Sequence, residues 1–76
     1  MPTVGRFNGI RFVIRTLDHE PPHVHAFAGG SDASIEIWSG RIIAGTLPAS
    51  VYSDAVAWVI ANSEMLYNTW KQTRPE

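Results

Sequence analysis

The sequence predicts an α+β fold, in which a small antiparallel sheet of about four to five short strands precedes one or two C-terminal helices packed on one face. Apolar and polar residues alternate as far as Gly45, with glycine-containing turns between the alternating segments. From Pro48 onward the apolar residues instead recur every three or four positions, which is the helical period. At 76 residues, 45% apolar and 17% charged, the chain fits a single domain spanning 1–76 with a thin core.

Turn signals divide the alternating part into strands. Asn8-Gly9 is the strongest hairpin signal, because both residues accept the positive φ angles of a type I′ turn. Gly29-Gly30 and Ser39-Gly40 mark two later turns, and the Pro21-Pro22 pair stiffens the entry into the third strand. The predicted strands are Thr3–Phe7, Ile10–Thr16, His23–Ala28, Ala33–Trp38 and Arg41–Gly45.

Two helices are expected near 48–62 and 63–72, joined by a short kink. Pro48 suits the first turn of a helix. Ser63 is expected to cap the second helix, with Glu64 in its first turn. Residues 73–76 are expected to form a frayed tail.

Alternation assigns the strand residues to two faces, because successive side chains on a strand point to opposite sides. The residues expected to point inward are Ile10, Phe12, Ile14, Val24, Ala26, Ala28, Ala33, Ile35 and Ile37. The opposite face is expected to be uncovered and to carry Arg11, Arg15, His23, His25, Ser34 and three residues that form a binding surface, Phe27, Glu36 and Trp38.

All three histidines lie within Asp18-His19-Glu20-Pro21-Pro22-His23-Val24-His25. Histidine is the commonest metal ligand and exchanges protons near neutral pH. Three interpretations stay open. His23 and His25 bind a divalent metal such as zinc, with His19 or a neighbouring carboxylate (Asp18, Glu20) as third ligand. Alternatively they are the acid–base pair of a metal-independent ribonuclease with Arg11 or Arg15 on the phosphate, or they serve the structure or a protein-binding surface.

Composition narrows the function classes. The absence of cysteine excludes disulfides and thiolate zinc sites, and a net charge of −1 argues against strongly electrostatic nucleic-acid binding, although RNA stays an alternative partner. No apolar run is long enough to span a bilayer and the N-terminus lacks a secretory pattern, so a cytoplasmic location without membrane contact is expected. The segment 55–61 is apolar on all sides, which predicts a homo-oligomer or a protein partner.

Several motifs together resemble one bacterial family. They are Met1-Pro2-Thr3-Val4, Asn8-Gly9-Ile10-Arg11, the segment from Asp18 to His25, Gly29-Gly30, Gly45-Thr46-Leu47-Pro48, and the helical series Trp58, Asn62, Leu66 and Trp70. In these the chain resembles the bacterial domain of unknown function 4160 family over essentially its whole length. The family's motif falls here on His19, Pro21, Pro22, His23 and His25, without assigned roles.

The resemblance implies a compact single domain of bacterial or phage origin. Members are often encoded beside another small protein, in arrangements similar to toxin–antitoxin pairs. The function expected from it is macromolecular binding within such a pair, with a cognate small protein as partner. A small nuclease that uses the histidines, with or without metal, and a phage-borne inhibitor of a host complex are the alternatives.

Overall fold

A computed structural model describes residues 3–15 and 19–73, and it contains the five strands and two helices that the sequence predicts. Each strand pairs antiparallel with the next in the chain, so the sheet order is β1-β2-β3-β4-β5. This confirms the α+β prediction. The elements are β1 (Thr3–Phe7), β2 (Ile10–Val13), β3 (His23–Ala28), β4 (Ser31–Glu36), β5 (Ile42–Gly45), α1 (Ala49–Ala61) and α2 (Ser63–Gln72).

Two tight turns set the register of the first four strands. Asn8 and Gly9 have φ angles of 51° and 81°, as the predicted type I′ turn requires. Gly29, with φ of 61°, and Gly30 form an equally short loop, and Ala28 pairs with Ser31 directly across it. Strand β4 therefore begins two residues earlier than predicted, because the glycine pair closes a tight hairpin rather than a wider loop.

Two strands end earlier than predicted. Strand β2 ends at Val13, whereas the predicted end, Thr16, lies outside the described residues. Strand β4 ends at Glu36 rather than Trp38. The N–H of Glu36 donates to the Arg41 carbonyl and the N–H of Gly40 donates to the Glu36 carbonyl, so residues 37–39 form a turn and β5 begins at 42 instead of 41.

A single residue, Asn62, links the two helices. Its backbone N–H and its Nδ2 both donate to the Trp58 carbonyl, which ends α1, and its own carbonyl accepts from Leu66, which begins α2. Ser63 is therefore the first helical residue and not the cap, which corrects the prediction, whereas Glu64 lies in the first turn as expected. The described chain remains helical to Gln72. Of the tail predicted for 73–76, Thr73 caps α2 by donating hydrogen bonds to the Trp70 carbonyl, and residues 74–76 lie outside the described residues.

The helices cover the face of the sheet that alternation predicts to be inward. Trp58 of α1 stacks on Phe12 of β2, with ring centroids 4.0 Å apart and planes 13° apart. Within residues 3–15 and 19–73, neither helix is long and apolar enough to cross a membrane. The buried cluster consists of Ile10, Phe12, Ile14, Val24, Ala26, Ala28, Ile35, Ile37, Ala55, Val59, Leu66 and Trp70, and Ala33 is buried on the same face.

Candidate functional site

The three histidines lie side by side at the start of β3, and we refer to His19, His23 and His25 as the histidine row. His23 and His25 are two apart on the strand and project from its outer face, as their spacing predicts. Their ring centroids are 5.0 Å apart, in an edge-to-face arrangement. The His19 ring, from the preceding loop, is 5.7 Å from that of His23. The folded chain therefore brings together the three histidines that the sequence places near one another.

The outer face is closed at His23 and His25, contrary to the expectation of an uncovered face, whereas His19 is exposed. His23 is 3% exposed and His25 is 8% exposed. Trp70, in the last turns of α2, lies with its ring centroid 5.2 Å from that of His23. The expectation failed because it treated the helices as covering one face alone, whereas the end of α2 reaches His23. Polar side chains buried to this degree need hydrogen-bond partners.

Hydrogen bonds hold both buried imidazoles in position. The Nδ1 of His23 is 2.7 Å from the carbonyl oxygen of Pro21, which follows a cis Glu20-Pro21 bond. A carbonyl oxygen only accepts, so Nδ1 of His23 carries the proton, and in the neutral ring Nε2 is the nitrogen with the lone pair. The Nδ1 of His25 is 3.3 Å from the Ser34 hydroxyl, its directly paired neighbour on β4. Histidines that bind metals or move protons are commonly oriented by such bonds.

The structure separates the two arginines that were predicted to assist the histidines. The pairing of β2 with β3 ends at Val13 and His25, and Arg15 lies two residues beyond it in the chain. The Nε of Arg15 is buried, and no described residue accepts a hydrogen bond from it. Arg11 instead pairs with Phe27, its guanidinium carbon 5.1 Å from the ring centroid. Four residues of strand, about 13 Å, separate that pair from His23.

The three residues predicted as one binding surface occupy different places. Phe27 lies beneath Arg11 near the β1–β2 hairpin. Trp38 lies in the turn after β4, 54% exposed, with its ring 5.3 Å from that of Tyr67 in α2. Glu36 pairs in register with His23, and its carboxylate accepts a hydrogen bond from the Ser39 hydroxyl. Glu36 alone of the three is therefore next to the histidine row.

Metal binding at the histidine row stays a prediction. Among the described residues, no group of three or more histidine, cysteine, aspartate or glutamate side chains is arranged so that it could hold a metal ion. His19 and Glu20 are described, whereas the other proposed ligand, Asp18, lies outside the described residues. The lone pair of His23 Nε2 is the group through which this residue would bind zinc.

Ser34 and Trp70 also belong to the site, and the sequence predicts the position of Ser34 but not that of Trp70. Ser34 lies on the outer face by alternation, so a correct strand register places it opposite His25. Trp70 ends the helical series Trp58, Asn62, Leu66 and Trp70. Its contact with His23 depends on where the end of α2 packs, and no local pattern in the sequence encodes that contact.

Comparison with known proteins gives a family but no activity. No curated protein and no solved structure matches the chain. A family model described as "Domain of unknown function (DUF4160)" matches residues 9–71, which include β2 to β5, the histidine row, α1 and most of α2. This span is well over half of the chain, and the protein therefore belongs to the DUF4160 family.

Proposed function

We propose that this protein acts by binding another macromolecule, a cognate small protein in a pair of the toxin–antitoxin kind. The observation that carries the proposal is an apolar surface on the outer side of α1, formed by Tyr52, Val56 and Ile60, which we call the α1 surface. Tyr52 is 46% exposed and Ile60 is 48% exposed. Their four-residue spacing puts all three on one side of the helix.

Helix α1 is apolar on this side although another side already contacts the sheet. Ala55 and Val59 are fully buried against the sheet. A surface helix of a small domain usually carries polar residues on its solvent side, and a helix that is apolar all round is usually covered on more than one side. Tyr52 and Ile60 stay about half exposed, so no residue of the described chain buries them as Ala55 and Val59 are buried. A protein partner bound to the α1 surface would bury these side chains.

The turn between β4 and β5 extends the α1 surface. A Cβ atom placed on Gly40 would lie 2.9 Å from Val56 Cγ1 and 2.9 Å from Ile60 Cδ1, so this turn packs directly on the helix. Trp38, two residues earlier, is 54% exposed. Exposed tryptophan and tyrosine side chains are enriched among the residues that dominate binding energy at protein interfaces.

The test is binding to the small protein encoded beside it. Both proteins are purified, and the complex is measured by size-exclusion chromatography with light scattering and by titration calorimetry. Ile60→Glu should weaken binding about 30-fold or more, because a charge is buried at the centre of the interface. Asn68→Glu, at an exposed position of α2, introduces the same charge outside the surface and should leave binding unchanged.

Two outcomes contradict the proposal. A monomer that ignores its neighbour's product would leave the α1 surface without a partner. A homodimer that Ile60→Glu dissociates, with no binding to the neighbour, would assign the surface to self-association instead.

A second candidate function, a metal-independent ribonuclease, is favoured by the rings of His23 and His25, whose centroids are 5.0 Å apart, and by Arg15, two residues beyond the last pair of β2 with β3. One imidazole would take the proton of a ribose 2′-hydroxyl as that oxygen attacks phosphorus. The other would protonate the departing 5′-oxygen, and a guanidinium would neutralise the added charge. Both histidines are more than nine-tenths buried, so RNA would reach them only if the residues that bury them, Trp70 among them, moved aside.

Cleavage of RNA in the presence of a chelator tests this candidate. Activity should show a bell-shaped pH profile and disappear in His23→Ala and in His25→Ala. The control is Arg41→Gln, which changes an exposed arginine directly before β5 and should leave the activity unchanged. Induction in cells should arrest growth with the wild type and not with the double histidine variant. No cleavage, or equal toxicity of both, would rule it out.

A further inference from the structure

We infer that Asn8 is a site of spontaneous deamidation, and that this modification releases the β1–β2 hairpin from α1. The reaction converts the side-chain amide of an asparagine into a carboxylate, with water as the co-reactant and ammonia as the leaving group. It depends neither on a protein partner at the α1 surface nor on chemistry at the histidine row.

The nucleophile of the reaction is the backbone nitrogen of Gly9. This nitrogen gives up its proton to hydroxide and attacks Cγ of Asn8, and the bond between Cγ and Nδ2 breaks. The amide nitrogen takes up a proton and leaves as ammonia, so that Asn8 and Gly9 are joined in a cyclic succinimide. A water molecule then adds to one of the two carbonyl carbons of the ring, and the bond from that carbon to the Gly9 nitrogen breaks.

The turn between β1 and β2 leaves both reacting groups accessible. Asn8 and Gly9 are exposed, and a Cβ atom placed on Gly9 would meet nothing within 4 Å. Phe7 and Ile10 pair across the turn, so the N–H of Gly9 lies outside the hydrogen-bonded ladder. Because glycine has no side chain and adopts the widest range of backbone angles, its nitrogen can turn toward the Cγ of the preceding residue.

The other two asparagines of the chain lack these features. Asn68 lies within α2, where the nitrogen of the next residue, Thr69, is held in the helical backbone and is crowded by a β-branched side chain. The Nδ2 of Asn62 donates to the Trp58 carbonyl at 2.8 Å, which fixes that amide on α1. Deamidation is therefore expected at Asn8 first.

Asp54 of α1 slows the reaction at Asn8. The Nδ2 of Asn8 donates to Oδ2 of Asp54 at 3.1 Å, which holds the amide toward the helix. The attack requires the side chain to rotate against the backbone of its own turn, so this hydrogen bond must break first. The Asp54 carboxylate also disfavours the negative charge that develops on the Gly9 nitrogen, because like charges repel.

The product loses the contact with α1. The new carboxylate has no N–H to donate, so a repulsion between two carboxylates replaces the hydrogen bond to Asp54. When the ring opens at the backbone carbonyl instead of Cγ, the product is isoaspartate, and the chain then continues through the former side chain. This lengthens a turn that sets the register of β1 with β2. The modified hairpin is therefore no longer tied to the helix.

The experiment is incubation of the purified protein at mildly alkaline pH, followed by peptide mapping with mass spectrometry. Aspartate and isoaspartate should accumulate at Asn8, at a rate proportional to the hydroxide concentration, while Asn68 stays intact. Asp54→Ala should accelerate the conversion of Asn8 about 2- to 10-fold, the factor by which loss of one ordinary hydrogen bond increases the free population of a side chain. The matched control is Glu64→Ala, which removes an exposed carboxylate from the first turn of α2 and should leave the rate unchanged.

Asn8→Asp measures the effect of the new charge on the contact with α1. Aspartate tolerates positive φ much as asparagine does, so the turn itself is preserved. The melting temperature should fall by about 4–8 °C, the shift that loss of one ordinary interaction gives in a domain of this size. In the Asp54→Ala background the same substitution should have little effect, because the facing carboxylate is gone.

The comparison of Asn8 with Asn68 separates a local restraint from a loosened fold. If Asp54→Ala accelerates modification at Asn8 alone, Asp54 restrains that side chain. A rise at both positions would overturn this role, because it would show that the whole fold had loosened. Modification of Asn68 as fast as that of Asn8, equal rates in Asp54→Ala and Glu64→Ala, or an equal loss of melting temperature for Asn8→Asp in both backgrounds would each overturn the inference.

Discussion

The two faces of the sheet are both buried at their centres, but by different means. On the inner face the buried side chains are apolar and are covered by helices; Phe12 and Trp58 form its stacked centre. On the outer face the buried centre contains Val13, His23 and His25. The imidazoles there are buried with hydrogen-bond partners, among them Pro21 and Ser34. Burial alone therefore does not distinguish the two faces.

The difference lies in what stabilises each face. The inner face depends on apolar area and on filled volume, at about 25 cal/mol per Å² removed from water. The outer face depends on polar groups keeping their partners, because a buried donor or acceptor that loses its partner costs free energy even when the volume is preserved. Changes of volume should therefore affect the inner face most, and changes of hydrogen-bonding capacity the outer face.

The largest effect is expected from Phe12→Ala. Phe12 is fully buried, so its truncation should lower the free energy of unfolding by about 3–5 kcal/mol. A domain of this size has a total stability of about 5–10 kcal/mol, so the variant should be substantially destabilised in urea titrations followed by circular dichroism. Phe7→Ala removes the same atoms from a side chain that is 40% exposed and should cost far less. Equal losses would contradict the assignment of the inner face.

The close packing of the inner face is tested by Gly5→Ala. A Cβ on Gly5 would overlap the six-membered ring of Trp58, so the methyl group should cost about 1–3 kcal/mol. Gly30→Ala is the control, because no atom lies within 4 Å of the added Cβ. Trp58→Leu in the Gly5→Ala background should recover part of the loss, measured in the same titration. A neutral Gly5→Ala would place Trp58 elsewhere.

The outer face is tested by His23→Leu, which keeps an apolar side chain of similar size and removes the donor. The Pro21 carbonyl would lose the hydrogen bond from Nδ1, at a cost of about 1–3 kcal/mol. His25→Leu should also lower the free energy of unfolding, because the Ser34 hydroxyl would lose its contact with Nδ1 of His25. If His23→Leu were neutral or stabilising, the outer face would depend on volume as the inner face does.

The smallest effect is expected from zinc, which tests the histidine row alone. If His23 and His25 bind the ion with His19 or a carboxylate, zinc at ten times its dissociation constant should stabilise the fold by about 1.4 kcal/mol. The shift in melting temperature should disappear in His23→Leu and His25→Leu and persist in Gly30→Ala. An unaltered melting curve with zinc at pH 7.5 would show that the histidine row does not bind zinc.

The sequence predicted the inner face of the sheet, because its apolar residues recur at every second position of each strand. The turns between strands were predictable because they carry glycine or asparagine where φ is positive. The inward set of nine side chains, from Ile10 to Ile37, is buried as predicted. The strand ends were less predictable. They depend on which backbone groups find partners, such as the Glu36 N–H on the Arg41 carbonyl.

The sequence predicts which residues form the candidate site, but it does not predict what surrounds them. Sequence proximity brings His19, His23 and His25 together, since three histidines in seven residues cannot lie far apart. The burial of His23 depends on Trp70, 47 residues later in the chain, and long-range packing of this kind leaves no local pattern. The separation of Phe27 from Trp38 is likewise tertiary: β4 stops before Trp38, and the tryptophan turns to Tyr67.

The strand order has a consequence for how the chain reaches its folded state. Because every strand pairs with its immediate neighbour in sequence, the sheet closes through a series of short loops, and topologies with mostly local contacts fold fast. The helices that cover the inner face follow all five strands in the chain. During synthesis the hairpins can therefore assemble while their apolar side is still bare, and this interval is the one in which the nascent protein most needs a chaperone.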